Sequence, residues 1–356
     1  MKNKIYYLES LRGLAAIVVA LFHFRNSSNS FLINNEFIQN GWVMVDFFFV
    51  LSGFVIAYNY SEKILSLKDL INFQIKRFLR LYPLHLFTLF LMLALEFSQL
   101  IKEILTNDIG EAASFTHNNI ASFMHNIFLT QALFNDKLTF NNPSWSISTE
   151  FFTYFIYALI ILFVKNTKYL FLISLTIIFY SGYFIFNELN ITSDFSILRC
   201  MHSFFLGTIA SYVFKHIKIK ISNILTYGIF ILTLISITFL KFLPPIIFPI
   251  IFLFLIISML NSEENLIKKI LNQKILIFFG KISYGIYMTH YFVWVTIEQI
   301  LIITKIGNYN SDFILNPFLG TFILILGMFI IIILSNFLYK NIEIPFNNLR
   351  NKFHFN

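Results

Sequence analysis

The sequence predicts an all-α integral membrane protein with about ten transmembrane helices that enclose a polar path. Of its 356 residues, 57% are hydrophobic and only 12% are charged, and the mean hydropathy is +0.73. Soluble domains are about 45–50% apolar and about 25% charged, so these values exclude a soluble globular enzyme. The apolar residues form long runs of the length that crosses a bilayer, and ionisable residues interrupt several of these runs.

Ten apolar runs are predicted to be spans, because about 20 mostly apolar residues are needed to cross about 30 Å of hydrocarbon. The runs are residues 9–25, 43–60, 83–101, 145–164, 169–187, 196–214, 222–241, 245–260, 283–303 and 316–339. The stretch 119–134 is shorter and contains His125, Asn126 and Gln131. It is either an eleventh span, a re-entrant segment or a surface helix.

The distribution of basic residues predicts the orientation of the bundle. With ten spans and a cytoplasmic N-terminus, 19 of the 26 Lys and Arg residues lie in inner segments and five in outer segments. Because cytoplasmic loops carry the excess of Lys and Arg, both termini are expected in the cytoplasm. The basic residues are scattered between apolar runs, so the net charge of +8 does not indicate nucleic-acid binding. Below, "inner" and "outer" follow this prediction.

The first span carries two ionisable residues on one face. Arg12 and His23 are 11 residues apart, which returns to within about 20° of the same face and separates them by about 16 Å along the helix. Glu9 falls on the same stripe. Imidazole is the side chain best suited to proton transfer near neutral pH, so His23 is a candidate catalytic residue at the outer end. Alternatively, both residues extend from the helix towards the membrane surfaces.

Two carboxylates are expected at the depth of His23. Asp46 opens the second span and Glu150 lies one to two turns into the fourth. Either carboxylate could orient the imidazole, as carboxylates do in catalytic triads. Asp46 could instead be an interfacial residue at a helix start, and Glu150 could instead pair with Arg199.

An arginine pair precedes the third span. Arg77 and Arg80 are one helical turn apart, and Pro83 is expected to mark the start of the next helix. Two guanidinium groups on one face suit a phosphate or pyrophosphate, although basic residues here also suit anchoring at the inner surface. Ser52 and Gly53, in the second span, predict a close-packing notch between helices rather than a nucleophile.

The ninth span begins with a polar stripe. Ser283, Tyr287 and His290 share a face by their spacing and are expected nearer the inner side, below His23. They either line a cofactor channel or form a buried hydrogen-bond cluster between helices. The single cysteine, Cys200, excludes a disulfide framework and a cysteine-based zinc site, and no metal is expected.

Taken together, these residues resemble the acyltransferase-3 family of bacterial integral membrane acyltransferases. The resemblance covers about residues 4–340 and predicts one domain over 1–345 with a short cytoplasmic tail at 346–356. Its motifs, in order, are Arg12-x10-His23, the Phe-Phe-Val-Leu-Ser-Gly-Phe run at 48–54, Arg77-x-x-Arg80-x-x-Pro83, Ser144-Trp145-Ser146-Ile147-Ser148-Thr149-Glu150, and Ser283-Tyr284-x-x-Tyr287-x-x-His290. One departure is Thr149, where the family usually has Val.

The resemblance implies transfer of an acyl group, usually acetyl from acetyl-CoA, to a hydroxyl of a cell-surface carbohydrate such as lipopolysaccharide O-antigen or capsule. The acceptor would be a surface glycan or a lipid-linked saccharide outside the cell inner membrane, with or without a periplasmic partner protein. In the family, the histidine matching His23 is regarded as catalytic.

These roles translate into hypotheses for the residues above. His23 is either a general base or an acyl relay, Asp46 or Glu150 fixes its tautomer, and Arg12 assists charge on the thioester. Arg77 and Arg80 would bind the CoA phosphates, while Tyr287 and His290 would line the CoA arm. The competing interpretation is a multi-pass transporter or flippase of glycolipid or polysaccharide precursors.

Overall fold

The computed structural model describes residues 5–24, 30–106, 113–134, 137–164, 166–187, 196–239, 243–304 and 316–353. Over these ranges the chain is helical, without a β-strand, and eight helices are long and apolar enough to cross a membrane. Two shorter apolar helices, Asn223–Thr238 and Ile247–Asn261, coincide with the seventh and eighth predicted spans. Each of the ten predicted spans is therefore an apolar helix, and the prediction of an all-α integral membrane protein is confirmed.

The ten long helices are numbered α1 to α10 in chain order. They are α1 Tyr6–Phe24, α2 Met44–Tyr60, α3 Leu67–Thr106, α4 Trp145–Phe163, α5 Thr167–Asn187, α6 Ser196–His216, α7 Asn223–Thr238, α8 Ile247–Asn261, α9 Ser283–Ile303 and α10 Pro317–Leu338. Helix α2 packs along α6, α5 packs on the other side of α6, and α1 packs against α9. This arrangement brings polar residues of α1, α2, α4 and α9 into contact with one another.

Helix α3 begins 16 residues earlier than expected, and Pro83 lies inside it rather than at its start. The helix starts after Ser66, where the Asp69 carboxylate accepts hydrogen bonds from the Ser66 backbone N–H and hydroxyl at 3.0 and 2.7 Å. Near the proline, the Tyr284 hydroxyl donates to the carbonyl of Leu81 at 2.6 Å. The lost proline N–H therefore does not end the helix, because side-chain contacts stabilise the turn around it.

The stretch 119–134 is not an eleventh span. It contains the short helices Ile120–Ile127 and Gln131–Phe134, separated by Leu129 at a positive φ of 58°. Eight residues cover only about 12 Å, too little to cross a bilayer. The segment is held against the helices beside it by hydrogen bonds such as His85 Nε2 to the Asn126 carbonyl at 2.9 Å. Eight of the ten predicted spans are therefore helices long enough to cross a membrane, two are shorter apolar helices, and the orientation of the termini stays a prediction.

Helices α2 and α6 approach closely because each has a glycine at the contact. A Cβ atom added at Gly53 would lie 1.9 Å from the Phe204 carbonyl oxygen. A Cβ atom added at Gly207 would lie 2.0 Å from the Val50 carbonyl oxygen. Both clashes involve backbone atoms, which cannot turn aside as a side chain can. The predicted packing role of Gly53 agrees with this geometry.

We expect Gly53→Ala to lower the free energy of unfolding by about 3 kcal/mol, because the added methyl forces α2 and α6 apart. Thermal unfolding of the purified protein in detergent measures the effect. Gly228→Ala, in α7, is the matched control, because nothing lies within 4 Å of a Cβ added there. The control is expected to be stabilising by about 0.5–1 kcal/mol. Equal stability of the two variants would contradict the close contact.

Candidate active site

His23 lies in the last turn of α1, and its ring meets that of His290 on α9. The His23 Nδ1 atom is 3.0 Å from the carbonyl oxygen of Val19, one turn earlier in the same helix. The His290 Nε2 atom is 3.2 Å from His23 Nδ1, and the two ring centroids are 4.9 Å apart. The expectation that His290 lies below His23 is therefore wrong, since the two imidazoles are at the same level.

Contacts near the two ends of α1 explain why His290 lies beside His23. The Arg12 guanidinium donates to the Ser283 hydroxyl at 2.8 Å and to the Gly280 carbonyl at 3.1 Å. Near the other end of α1, the Trp294 indole N–H donates to the Ala20 carbonyl at 2.8 Å. The helices therefore run in parallel, and seven residues beyond Ser283 the chain reaches the level of His23.

The three predicted stripe residues of α9 contact different helices. Ser283 contacts Arg12, and His290 contacts His23. The Tyr287 hydroxyl lies 2.8 Å from the Ser146 hydroxyl at the outer end of α4. It also donates to the carbonyl of Pro143, in the turn before α4, at 3.0 Å. The stripe residues therefore form hydrogen bonds between helices, as one of the two alternatives predicted, while the lining of a cofactor channel stays a prediction.

Asp46 is paired with Arg199 rather than placed against His23. Its two carboxylate oxygens accept hydrogen bonds from Nε and Nη2 of Arg199 at 2.9 and 2.8 Å, and the Ser203 hydroxyl donates to it at 3.2 Å. The Arg199 guanidinium also lies over the Trp42 and Trp145 rings, 5.0 and 5.5 Å from their centroids. Both side chains are buried. The alternative in which Arg199 pairs with Glu150 is therefore wrong, because Arg199 is paired with Asp46.

Glu150 lies deeper in the bundle than expected. Its carboxylate accepts a 2.5 Å hydrogen bond from the Ser52 hydroxyl of α2 and a second from Tyr154. Phe48 in α2 and Ser146 in α4 both contact Tyr287, whose ring lies 5.8 Å from that of His290. Ser52 and Glu150 each follow four residues later in these helices, which is about 6 Å further inwards.

Glu150 therefore lies about one helical turn inwards of the imidazole pair, on the side of Arg12, with which it interacts electrostatically. Ser52 was predicted only to allow close packing between helices. Its hydrogen bond to Glu150 could not be predicted from that pattern of small residues.

Arg77 is buried, in contrast to a solvated surface anchor. Its side chain is only 4% exposed, and Nη2 donates to the Tyr60 hydroxyl at 3.1 Å. The guanidinium lies 5.3 to 5.9 Å from the ring centroids of Tyr60, Phe73 and Tyr154. Its Nε atom is buried without a hydrogen-bond partner among the described residues. A buried guanidinium with an unused donor is suited to an anionic ligand.

Arg80 and Arg12 extend this positive region into the bundle. The two guanidinium groups interact electrostatically with each other. Arg350, beyond α10, adds a fourth positive charge that interacts with Arg80 and Arg77. The predicted arginine pair is thus one part of a larger basic cluster.

Glu343 is a site residue that the sequence analysis missed. It lies in the π-helical turn Tyr339–Glu343 that follows α10, and it interacts electrostatically with Arg12 and Arg80. Its Oε1 atom is buried without a hydrogen-bond partner in the part of the chain that the structure describes. An isolated Glu after the last apolar run looks like a tail residue, and no spacing rule predicts the π-helical turn that directs it inwards.

Together these residues form two groups at different depths. The basic group contains Arg77, Arg80, Arg12 and Arg350 with the carboxylates of Glu150 and Glu343, and the imidazole pair lies further out, two turns of α9 beyond the contact of Arg12 with Ser283. Within the described ranges, no three His, Cys, Asp or Glu residues are positioned to hold a metal ion. The first group can bind an anion, and the second can transfer a proton or act as a nucleophile.

Comparison with known proteins agrees with this chemistry. Residues 5–337 match the family described as Acyltransferase domain, acyltransferase-3. A curated protein, "Protein 2 in picA locus" from Rhizobium radiobacter, is 34% identical over 93 residues. That match covers 26% of this chain and 46% of the relative, so it spans less than half of that protein. No solved structure matches at a significant level. Because the family match covers nearly the whole chain, this protein belongs to the acyltransferase-3 family of membrane acyltransferases.

Proposed function

We propose that this acyltransferase moves an acyl group, most simply acetyl, from cytoplasmic acyl-CoA to a hydroxyl of an extracytoplasmic carbohydrate. The observation that carries the proposal is the separation of a buried basic group from an imidazole pair along one helix bundle. A donor with phosphates at one end and a thioester at the other fits two such groups at different depths. The acceptor would be a surface glycan or a lipid-linked saccharide in the bacterial inner membrane.

The donor would enter at the basic end. Arg77 and Arg80 would bind the CoA phosphates, and the unused Nε donor of Arg77 supports this role. The pantetheine arm would then extend outwards past Arg12. Because the Arg12 guanidinium contacts Ser283, two turns of α9 inwards of His290, we assign Arg12 to the arm or the phosphates rather than to the thioester carbonyl.

His23 would perform the transfer at the outer end. As a general base, it takes the proton of the acceptor hydroxyl while that oxygen attacks the thioester carbon. The carbon–sulfur bond breaks, the thiolate leaves, and His23 returns the proton to give free CoA and the O-acyl carbohydrate. As an acyl relay, His23 itself attacks the thioester, CoA leaves, and the acceptor hydroxyl then attacks the acyl-imidazole.

The proposal is tested with membranes that contain the protein. Acetyl-CoA is added, released CoA is titrated with a thiol reagent, and surface glycans are analysed by mass spectrometry for the increment of one acetyl group. We expect CoA release and acetylated glycan only when the protein is present. Movement of a glycolipid across the membrane without CoA release would instead favour the transporter.

We expect Arg77→Met to raise the KM for acetyl-CoA about 10- to 100-fold, because the substitution removes a charge-assisted contact to a phosphate. The kcat of the protein that remains folded should change little. Lys274→Met is the matched control, because Lys274 is an exposed cation in another segment on the same predicted side. An equal rise in KM for both variants would favour general inner-surface attraction over a specific phosphate site.

A further inference from the structure

The hydrogen bonds of His290 define its tautomer. Its Nδ1 atom lies 3.1 Å from the carbonyl oxygen of Ile286, one turn earlier in α9. A carbonyl only accepts hydrogen bonds, so Nδ1 carries the hydrogen. The His290 ring is completely buried. In the neutral ring, Nε2 then has the lone pair, and this is the atom that faces His23.

The same reasoning applies to His23. Its Nδ1 atom lies 3.0 Å from the Val19 carbonyl oxygen, so this nitrogen also carries the hydrogen. That N–H is shared between the Val19 carbonyl and the lone pair of His290 Nε2 at 3.2 Å. A doubly protonated His290 would direct a second N–H at the N–H of His23, and the contact would be repulsive. The pair is therefore consistent when His290 is neutral.

We infer that His290 is a positioning residue that holds His23 in the Nδ1–H tautomer, so that the Nε2 atom of His23 acts on the substrate. The inference rests on the proposed function and deepens it. A neutral imidazole here takes the position that a carboxylate occupies in a serine hydrolase triad, where it orients the catalytic histidine. When His23 takes the acceptor proton on Nε2, its Nδ1–H continues to donate to His290.

The two carboxylates considered for this task are engaged elsewhere. Both oxygens of Asp46 accept hydrogen bonds from Arg199, and Glu150 is bonded to Ser52. A second contact joins α1 and α9 near this level, because the Trp294 indole N–H donates to the Ala20 carbonyl at 2.8 Å. This bond holds the two helices together beside the imidazole pair.

Two substitutions of matched size test the inference. In His290→Gln, the amide oxygen can accept the Nδ1–H of His23, whereas His290→Met fills the same space without a comparable acceptor. We expect kcat to fall about 100-fold in the Met variant, and we expect the Gln variant to recover most of that loss. The KM for acetyl-CoA should be unchanged in both variants, and so should the unfolding temperature.

The results separate this inference from the proposed function. If His23→Ala, assayed in parallel, keeps its activity, the proposed function is wrong. If His23→Ala is inactive while the Gln and Met variants behave alike, or while the Met variant keeps wild-type kcat, the positioning role is wrong.

A measurement on the unsubstituted protein covers the case in which the variants do not fold. Nitrogen-15 NMR of histidine-labelled protein, with the His23 signals assigned through His23→Gln, reports which ring nitrogen is protonated. We expect the hydrogen on Nδ1 of His23. A hydrogen on Nε2 would overturn the inference.

Discussion

Replacing His23 with alanine is expected to reduce acyl transfer by at least about 1,000-fold, because both transfer routes require its imidazole. Released CoA from membranes with acetyl-CoA measures the rate, normalised to the amount of folded protein. The loss should appear in kcat with little change in the KM for the donor, because the basic group proposed to bind the CoA phosphates lies at a different depth from His23.

His216→Ala is the control for this prediction. His216 lies in the last turn of α6, at the predicted inner side and away from α1 and α9. The control should keep wild-type activity. If His23→Ala transferred acyl groups at a rate near that of the control, His23 would have neither of the two proposed roles.

Replacing Asp46 with asparagine is expected to lower the free energy of unfolding by about 3–5 kcal/mol, because the buried guanidinium of Arg199 would lose its counter-ion. Both side chains are buried, and the two hydrogen bonds between them measure 2.9 and 2.8 Å. Thermal unfolding in detergent, followed by the recovery of monodisperse protein after heating, measures the loss.

The double substitution Asp46→Leu with Arg199→Met separates stability from catalysis. Removing both charges and keeping the side-chain volume should restore most of the stability lost in Asp46→Asn. The restored protein should also be active, because the structure gives Asp46 a structural partner. A stable double variant without activity would instead support the catalytic role that the sequence analysis considered for Asp46.

The positions and nature of the apolar helices could be predicted because hydropathy is a local property. Nine of the ten apolar runs form helices within a few residues of their predicted bounds, and 119–134 contains only two short helices. The relation between Arg12 and His23 was likewise local, since one helix connects them and its geometry is known. Helix α3 was the exception, because contacts with α9 stabilise the turn around Pro83.

The contacts of the buried polar residues could not be predicted from hydropathy or from the geometry of one helix. A residue's distance from the end of its run indicates its depth only when the helix start and tilt are known, and Glu150 was placed too far out for that reason. Which helices are neighbours is a second unknown, and it determined that Asp46 meets Arg199. Glu343 reached the basic group through a π-helical turn that has no sequence signal.

The amino-acid sequence alone predicted a membrane protein with ten apolar helices, and an arginine and a histidine on one face of the first. Both predictions succeed because each depends only on the spacing of residues within a single helix. The packing of the helices established which side chains touch: Ser52 with Glu150, Asp46 with Arg199, and His290 with His23. Such contacts depend on the rotation, tilt and neighbour order of separate helices, and these arise only when all the apolar and small-residue surfaces pack together.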